Sequence, residues 1–464
     1  MLVLEVVNEH RPDGDLPVRV ASSERMSRLA VPSAVYSRMT YDEEEPNVRD
    51  IDAESYLSVT EPIQHKDELP TSAGSAANAP SLRTHALLHT PAVLDLKWGY
   101  QEVNQASLFG AAYEDGTVRI YSVRRASAAN GSDEGKREST LVVKEEASLR
   151  TGKKDSALAL AMDWSDRRGP YSPAQETEED GNDDEYDEER PSVQLSATNI
   201  VVSHSDGSLV LANVHVTDKT DEHEGKAQAI RLEVQSKWKA HDLEAWICAF
   251  DYWDPHVIYS GADDALLKFW DARMLPAFDA TAVDDGEEEL PTSTGAFPTF
   301  VSREHKQGVC SIRCHPHNPH ILATGSYDEG LRIWDKRNMK SPMHRLKLGG
   351  GVWRLKWHPD PRKADYLLAV VMHNGGQIIN TRLGLAHSQE TSAFETATPE
   401  VISEYHQHGP TTLVYGGDWS WHTQEELASL LPGSAPDDAY ACLVGTASFY
   451  NKRIDLWYPT SGLP

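Results

Sequence analysis

The sequence predicts an all-β fold, a β-propeller of seven blades whose ring is closed by the N-terminal strand. Three observations predict it. One unit of alternating apolar residues, polar turn and second apolar run recurs along the chain. Several copies end in Trp-Asp, as at Trp270-Asp271 and Trp334-Asp335. A four-stranded unit of this kind cannot bury both faces alone, and radial stacking of such units solves that problem.

The clearest copies run over residues 257–271 and 321–335, with turn residues Asp264 and Asp328. Weaker copies turn at Asp115-Gly116, Asp206-Gly207, Asn374-Gly375 and Asn451. Asp and Asn tolerate the left-handed backbone of a tight hairpin, and a following Gly adopts it without steric cost. A strand is expected before each hairpin, at 92–98, 157–164, 246–252, 309–314, 352–357 and 413–419, several ending in Trp or a His-Pro corner. These features are of the WD40 type.

Successive turns lie further apart than the about 40–45 residues of a bare blade. The excess is expected in polar insertions near 124–155, 168–192, 217–235, 276–300 and 384–403, read as loops. The chain thus reads as a single propeller over 1–464. Residues 2–7 are the closing strand, 8–84 a degenerate first blade containing a strand at Tyr56-Leu-Ser-Val59, and 85–464 six recognisable blades. The sixth ends after its third strand, Ile454-Asp-Leu-Trp457, which leaves an edge for residues 2–7 to complete.

Net charge is −28, from 44 basic and 72 acidic residues. That excludes a general nucleic-acid binder, which needs basic surface to displace counterions from phosphates. It also argues against anchoring on anionic lipid. Ten of the carboxylates crowd into residues 176–189, which reads as a solvated loop. Four cysteines are too few and scattered for a disulfide framework. The apolar run at 2–7 is too short for a signal-peptide core or a membrane span. A soluble cytoplasmic protein without membrane or direct nucleic-acid partners is expected.

Two histidines precede the best blades. His241 is expected to bond Asp264 with help from Ser260 and Trp270, and His305 to bond Asp328 with Thr324 and Trp334, satisfying polar groups buried at the blade edge. The run Cys310-Ser-Ile-Arg-Cys314-His315-Pro-His317-Asn-Pro-His320 contains metal-ligating residue types, but its spacing fits no common zinc pattern, and no metal is expected. Neither a Gly-x-Ser-x-Gly elbow nor a His-Glu-x-x-His is present, and no cofactor is implied. Pattern alone therefore gives a binding platform.

Longer runs are more specific than the repeat. They include Trp238-Lys-Ala-His-Asp-Leu-Glu-Ala-Trp246, Ala323-Thr-Gly-Ser-Tyr-Asp-Glu329 and Gly349-Gly-Gly-Val-Trp-Arg-Leu-Lys-Trp-His-Pro359. Met372-His-Asn-Gly375, Val414-Tyr-Gly-Gly-Asp-Trp-Ser420 and Ser448-Phe-Tyr450 follow. Across about residues 90–460 the chain resembles the diphthine methylesterase family, the WD-repeat proteins of diphthamide biosynthesis. The resemblance implies a carboxylic-ester hydrolase that removes the methyl ester of methyl diphthine on elongation factor 2, the protein substrate.

Position on one propeller face marks the candidate site residues. Trimethylammonium groups are attracted by aromatic faces, so Glu244, Trp246, Asp263, Trp353, His408 and Asp418 are expected to bind the substrate. His373, one position before the turn residue of its blade, is the expected base, with Tyr327 or Tyr450 donating to the oxyanion. Ser311 and Ser448 are candidate nucleophiles, and a directly activated water is the alternative. The competing function is a non-enzymatic adaptor. Trp270-Asp-Ala-Arg273 and Trp334-Asp-Lys-Arg337 match the Trp-Asp-x-Arg box of cullin-4 ubiquitin-ligase receptors.

Overall fold

The computed structural model describes residues 3–8, 55–62, 82–126, 140–153, 156–167, 197–221, 225–279, 292–384, 397–409, 412–420, 443–448 and 453–459. The fold is all-β, of the β-propeller class, with six blade repeats along the chain. The chain divides into two compact units, residues 1–92 with 315–464 and residues 93–314. The first is the split unit and the second the middle unit.

The middle unit holds three complete four-stranded antiparallel sheets. The first is β4 (Val93–Val103), β5 (Ala106–Tyr113), β6 (Thr117–Ala126) and β7 (Thr140–Arg150). The second is β8 (Ala159–Trp164), β9 (Asn199–His204), β10 (Ser208–Asp221) and β11 (Gly225–Lys239). The third is β12 (Ile247–Phe250), β13 (Val257–Gly261), β14 (Leu267–Asp271) and β15 (Phe300–Ser302). The unit ends with β16 (Val309–Cys314), every residue of which is buried.

The split unit contains β17 (Ile321–Ser326), β18 (Gly330–Asp335) and β19 (His344–Lys347), paired in that order. Next come β20 (Val352–Trp357), β21 (Tyr366–Val371), β22 (Gly375–Asn380) and β23 (Glu400–Tyr405). The last repeat is three-stranded: β24 (Val414–Trp419), β25 (Val444–Ser448) and β26 (Arg453–Trp457). The N-terminal sheet is also three-stranded, made of β1 (Val3–Asn8), β2 (Ser55–Pro62) and β3 (Leu82–His89).

The N-terminal strand therefore departs from the sequence expectation. β1 pairs antiparallel with β2, Val3 opposite Thr60 and Asn8 opposite Ser55, rather than with β26. Two expected loops are strands. Residues 140–150 form β7, whose register on β6 runs from Thr117↔Arg150 to Ala126↔Thr140. The insertion at 217–235 continues the β10–β11 hairpin as far as Asp221↔Gly225. β7 and β11 are outer strands, where one face of the sheet meets water and polar residues are tolerated, so their hydrophobic signal is diluted. Within the hairpin, Val214 and Ile230 still pack with Met162, Trp164 and Ile200 of the core.

Hairpin turns follow the expected chemistry. Gly116 and Gly207 have φ of 77° and 80°, and Ala265 and Glu329 take the same left-handed position at 62°. The Asp before each left-handed turn residue accepts a backbone N–H two positions on: Asp115 from Thr117, Asp206 from Ser208, Asp264 from Leu266 and Asp328 from Gly330. Tryptophans at first-strand ends tie neighbouring repeats together. Trp164 Nε1 donates to the carbonyl of Lys97 at 3.1 Å, and Trp419 Nε1 to that of Lys356 at 2.8 Å.

Candidate functional site

Trp270 Nε1 donates to Ser260 Oγ at 2.9 Å, Ser260 Oγ meets His241 Nε2 at 2.7 Å, and His241 Nδ1 donates to Asp264 at 2.9 Å. Burial pushes the His241 imidazole below its ordinary value, against the pull of Asp264. A neutral ring with its proton on Nδ1 satisfies every member of the chain. In the next repeat Trp334 Nε1 donates to Thr324 Oγ1 at 2.9 Å. There both Asp328 oxygens take the Arg332 guanidinium, at 3.1 and 2.8 Å. Arg332 was not anticipated from the sequence. His305 is buried, with 3% of its surface exposed.

A further copy corrects one binding residue. His408, expected to touch substrate, is buried; its Nε2 meets Thr446 Oγ1 at 2.8 Å and its Nδ1 lies 3.4 Å from Asp455. Trp457 Nε1 donates to the same Thr446 at 3.2 Å. His408 is thus the structural histidine of the last repeat, with its acid supplied by β26 rather than by the turn.

The His-rich corner after β16 is structural as well. His315 Nε2 donates to the Ala364 carbonyl and His317 Nε2 to that of Pro359, each at 2.9 Å. Burial first, opposed by the Ala364 bond, pushes His315 down to about 3. Among the described residues no group of three His, Cys, Asp or Glu could hold a metal ion. Cys248, Cys310 and Cys314 are buried, and burial pushes the Cys248 thiol well up.

In the middle unit the structure brings together Glu244, Trp246 and Asp263. Trp246 Nε1 donates to Asp263 Oδ1 at 3.3 Å, and the Asp263 amide donates to the Glu244 carbonyl at 2.9 Å. In the split unit Tyr327, between β17 and β18, packs on Trp353 of β20 with ring centroids 5.7 Å apart. Trp353 in turn meets Tyr415 of β24 at 5.1 Å and 74°. Tyr415 was missed by sequence reasoning. The Arg354 guanidinium lies 5.3 Å from the centre of the Trp353 ring. Asp418, exposed, holds Lys356 Nζ at 2.6 Å.

Trp353 and Tyr415 occupy equivalent irregularities. The register of β20 slips between Val352 and Arg354, and that of β24 between Val414 and Gly416, leaving each aromatic residue as the extra one. A bulge of this kind re-aims the side chain out of the strict alternation of the strand. Gly351 makes room for Tyr327: a Cβ there would lie 3.3 Å from the Tyr327 ring and 2.8 Å from Met372 Sδ.

His373 is exposed on the single 3-10 turn Met372–Asn374, and among the described contacts no carboxylate orients it. Ser311 and Ser448 are buried, 1% and 0% exposed. Tyr450 lies outside the described residues. In the Trp-Asp-x-Arg boxes, Arg273 Nη2 grips Asp271 at 2.9 Å and Arg337 Nη2 grips Asp335 at 2.8 Å, tying down the corner after the third strand.

Residues 297–335 match the family model described as WD domain, G-beta repeat. The chain carries a WD40 repeat. It is 34% identical over 332 residues to a human protein named diphthine methyltransferase, a match covering 72% of this chain and 56% of that protein. It is 29% identical over 369 residues to a Dictyostelium discoideum protein named diphthine methyltransferase homolog, covering 79% and 76%. The chain spans about half the length of the human relative. Among solved structures, the mitotic checkpoint complex matches at a TM-score of 0.47 and 12% identity, covering 98% of this chain and 91% of that one.

These names correct the sequence-based function. The relatives are named for methyl transfer, not for hydrolysis of a methyl ester, so the carboxylic-ester hydrolase expectation is overturned. The relatives are named as enzymes, and their names carry diphthine.

Proposed function

We propose that the chain is a methyl-handling enzyme of diphthamide biosynthesis, acting on diphthine carried by elongation factor 2. The similarity to proteins named diphthine methyltransferase over 72% of the chain carries this reading. Two structural features support it. A platform of blade repeats with its own turns and loops suits a folded protein substrate. The ring cluster of Tyr327, Trp353 and Tyr415 offers π faces to a trimethylammonium group such as diphthine bears.

The test is mass spectrometry of elongation factor 2 purified in its diphthine form, before and after incubation with the full chain and a methyl donor. The modified peptide is expected to gain one methylene unit. An unchanged mass, with the chain folded and the substrate verified, overturns the reading.

The adaptor reading competes with it, because a WD40 fold serves either role and Arg273 and Arg337 both expose part of their side chains, 60% and 38%. Recovery of a cullin-4 ligase's propeller adaptor in a pull-down, with loss on Arg273→Ala plus Arg337→Ala, would favour it.

A further inference from the structure

We propose that Tyr327, Trp353 and Tyr415 form a receptor for a quaternary ammonium group on the substrate. That the ligand class is the trimethylammonium of diphthine rests on the proposed function; the geometry of the rings does not.

Three successive repeats of the split unit each contribute one ring, and none is a core residue. All three are half-buried, whereas the scaffold tryptophans Trp334 and Trp357 are buried. Trp353 lies at 57° to Tyr327 and 74° to Tyr415. In such tilted and edge-to-face contacts the positive edge of one ring meets the negative face of another, which fixes ring orientations before any ligand arrives. A preset arrangement loses little freedom on binding.

The Trp353 face already holds a cation: the Arg354 guanidinium sits 5.3 Å from its centre. A methylated nitrogen has no N–H to donate, so hydrogen-bond acceptors gain nothing from it, while π faces attract it at full strength. A cluster made of three rings therefore selects a quaternary ammonium over a lysine ammonium, which keeps three donors to satisfy. The backbone devices serve this end. Bulges at Trp353 and Tyr415 turn both rings away from the strand alternation, and Gly351 clears the approach of Tyr327.

The experiment is calorimetric titration of the full chain with choline and with its neutral carbon isostere, 3,3-dimethylbutan-1-ol. Both are repeated on Trp353→Leu and Tyr415→Leu, with melting curves to show that each variant is folded. Choline is expected to bind more tightly than the isostere, and each leucine variant to lose roughly twofold to thirtyfold in choline affinity. Equal binding of choline and isostere overturns the inference, as does unchanged choline affinity in both folded variants. Should Trp353→Leu fail to fold, Tyr415→Leu decides alone. Choline binding that depends on the rings supports the inference even if elongation factor 2 is unchanged by the chain. Methyl chemistry on diphthine that proceeds while choline binds no better than its isostere overturns it and leaves the proposed function standing.

Discussion

The two units use one backbone device for different ends. In the middle unit the first strands β4 and β8 slip register at Leu94 and Leu160. In the split unit β20 and β24 slip at the equivalent points, Trp353 and Tyr415. The extra residue is aliphatic in one unit and aromatic in the other. Elsewhere the pairs match closely: Trp164 reaches back to Lys97 as Trp419 reaches back to Lys356. The bulge therefore belongs to the scaffold, and the side chain placed on it differs between these two pairs of repeats. Scaffold equivalence with a different residue at a re-aimed position is how a repeat fold acquires a site without altering its pairing.

That comparison can be broken most forcefully at the tryptophans. Trp164→Ala and Trp419→Ala should each cost about 3–5 kcal/mol, as large-to-small changes at buried aromatic positions do. Denaturant unfolding measures both. A cost for one several times smaller than for the other would mean that the two units do not share a scaffold.

Acid tests each unit through a buried histidine. Burial pushes His204, in the middle unit, down to about 4, and His315, in the split unit, down to about 3, from 6.5. A histidine with a depressed folded-state value stays neutral when folded and takes a proton when unfolded. Its contribution is therefore full above about pH 6.5 and is lost as pH falls toward the folded value. Between pH 6.5 and 5 each should withdraw about 2 kcal/mol of stability. His204→Gln and His315→Gln should each flatten the fall of melting temperature over that range. A slope unchanged in both variants would contradict the assignment.

Smaller effects sharpen the contrast. Tyr415→Leu gives the split unit the side-chain class found at Leu94 and Leu160. It should change stability by less than about 1 kcal/mol while weakening choline binding, because the ring is half-buried and contributes little to the core. A stability loss as large as that of Trp419→Ala would make Tyr415 a core residue instead. Smallest of all, Arg273→Ala should cost under about 1 kcal/mol in urea unfolding, since its pair with Asp271 is solvent-exposed.

Much of the scaffold was legible because its signals are local. The Asp and Gly turn residues, the Trp-Asp endings and the apolar first strands each follow from a few adjacent residues, and the His241–Asp264 bond follows from the repeat. The parts that were missed depend on distant partners or on broken periodicity. His408 was misassigned because its acid, Asp455, comes from a strand far along the chain. Tyr415 escaped notice because a bulge breaks the alternation that marks inward and outward residues. The β10–β11 extension read as a loop because an outer hairpin carries polar residues on its wet face. Arg332 at Asp328 was missed although Arg119 lies at the same four-residue offset from Asp115, 3.7 Å away, because the other turn acids, Asp206 and Asp264, have no Arg at that offset.

The most direct measurement is the binding of two otherwise identical elongation-factor peptides, one carrying diphthine and one an unmodified histidine. Each is titrated into the full chain and into Tyr415→Leu. The account predicts that the diphthine peptide binds more tightly to the parent chain and that the leucine variant loses this preference. Equal binding of the two peptides to the parent chain, or an undiminished preference in Tyr415→Leu, would contradict it.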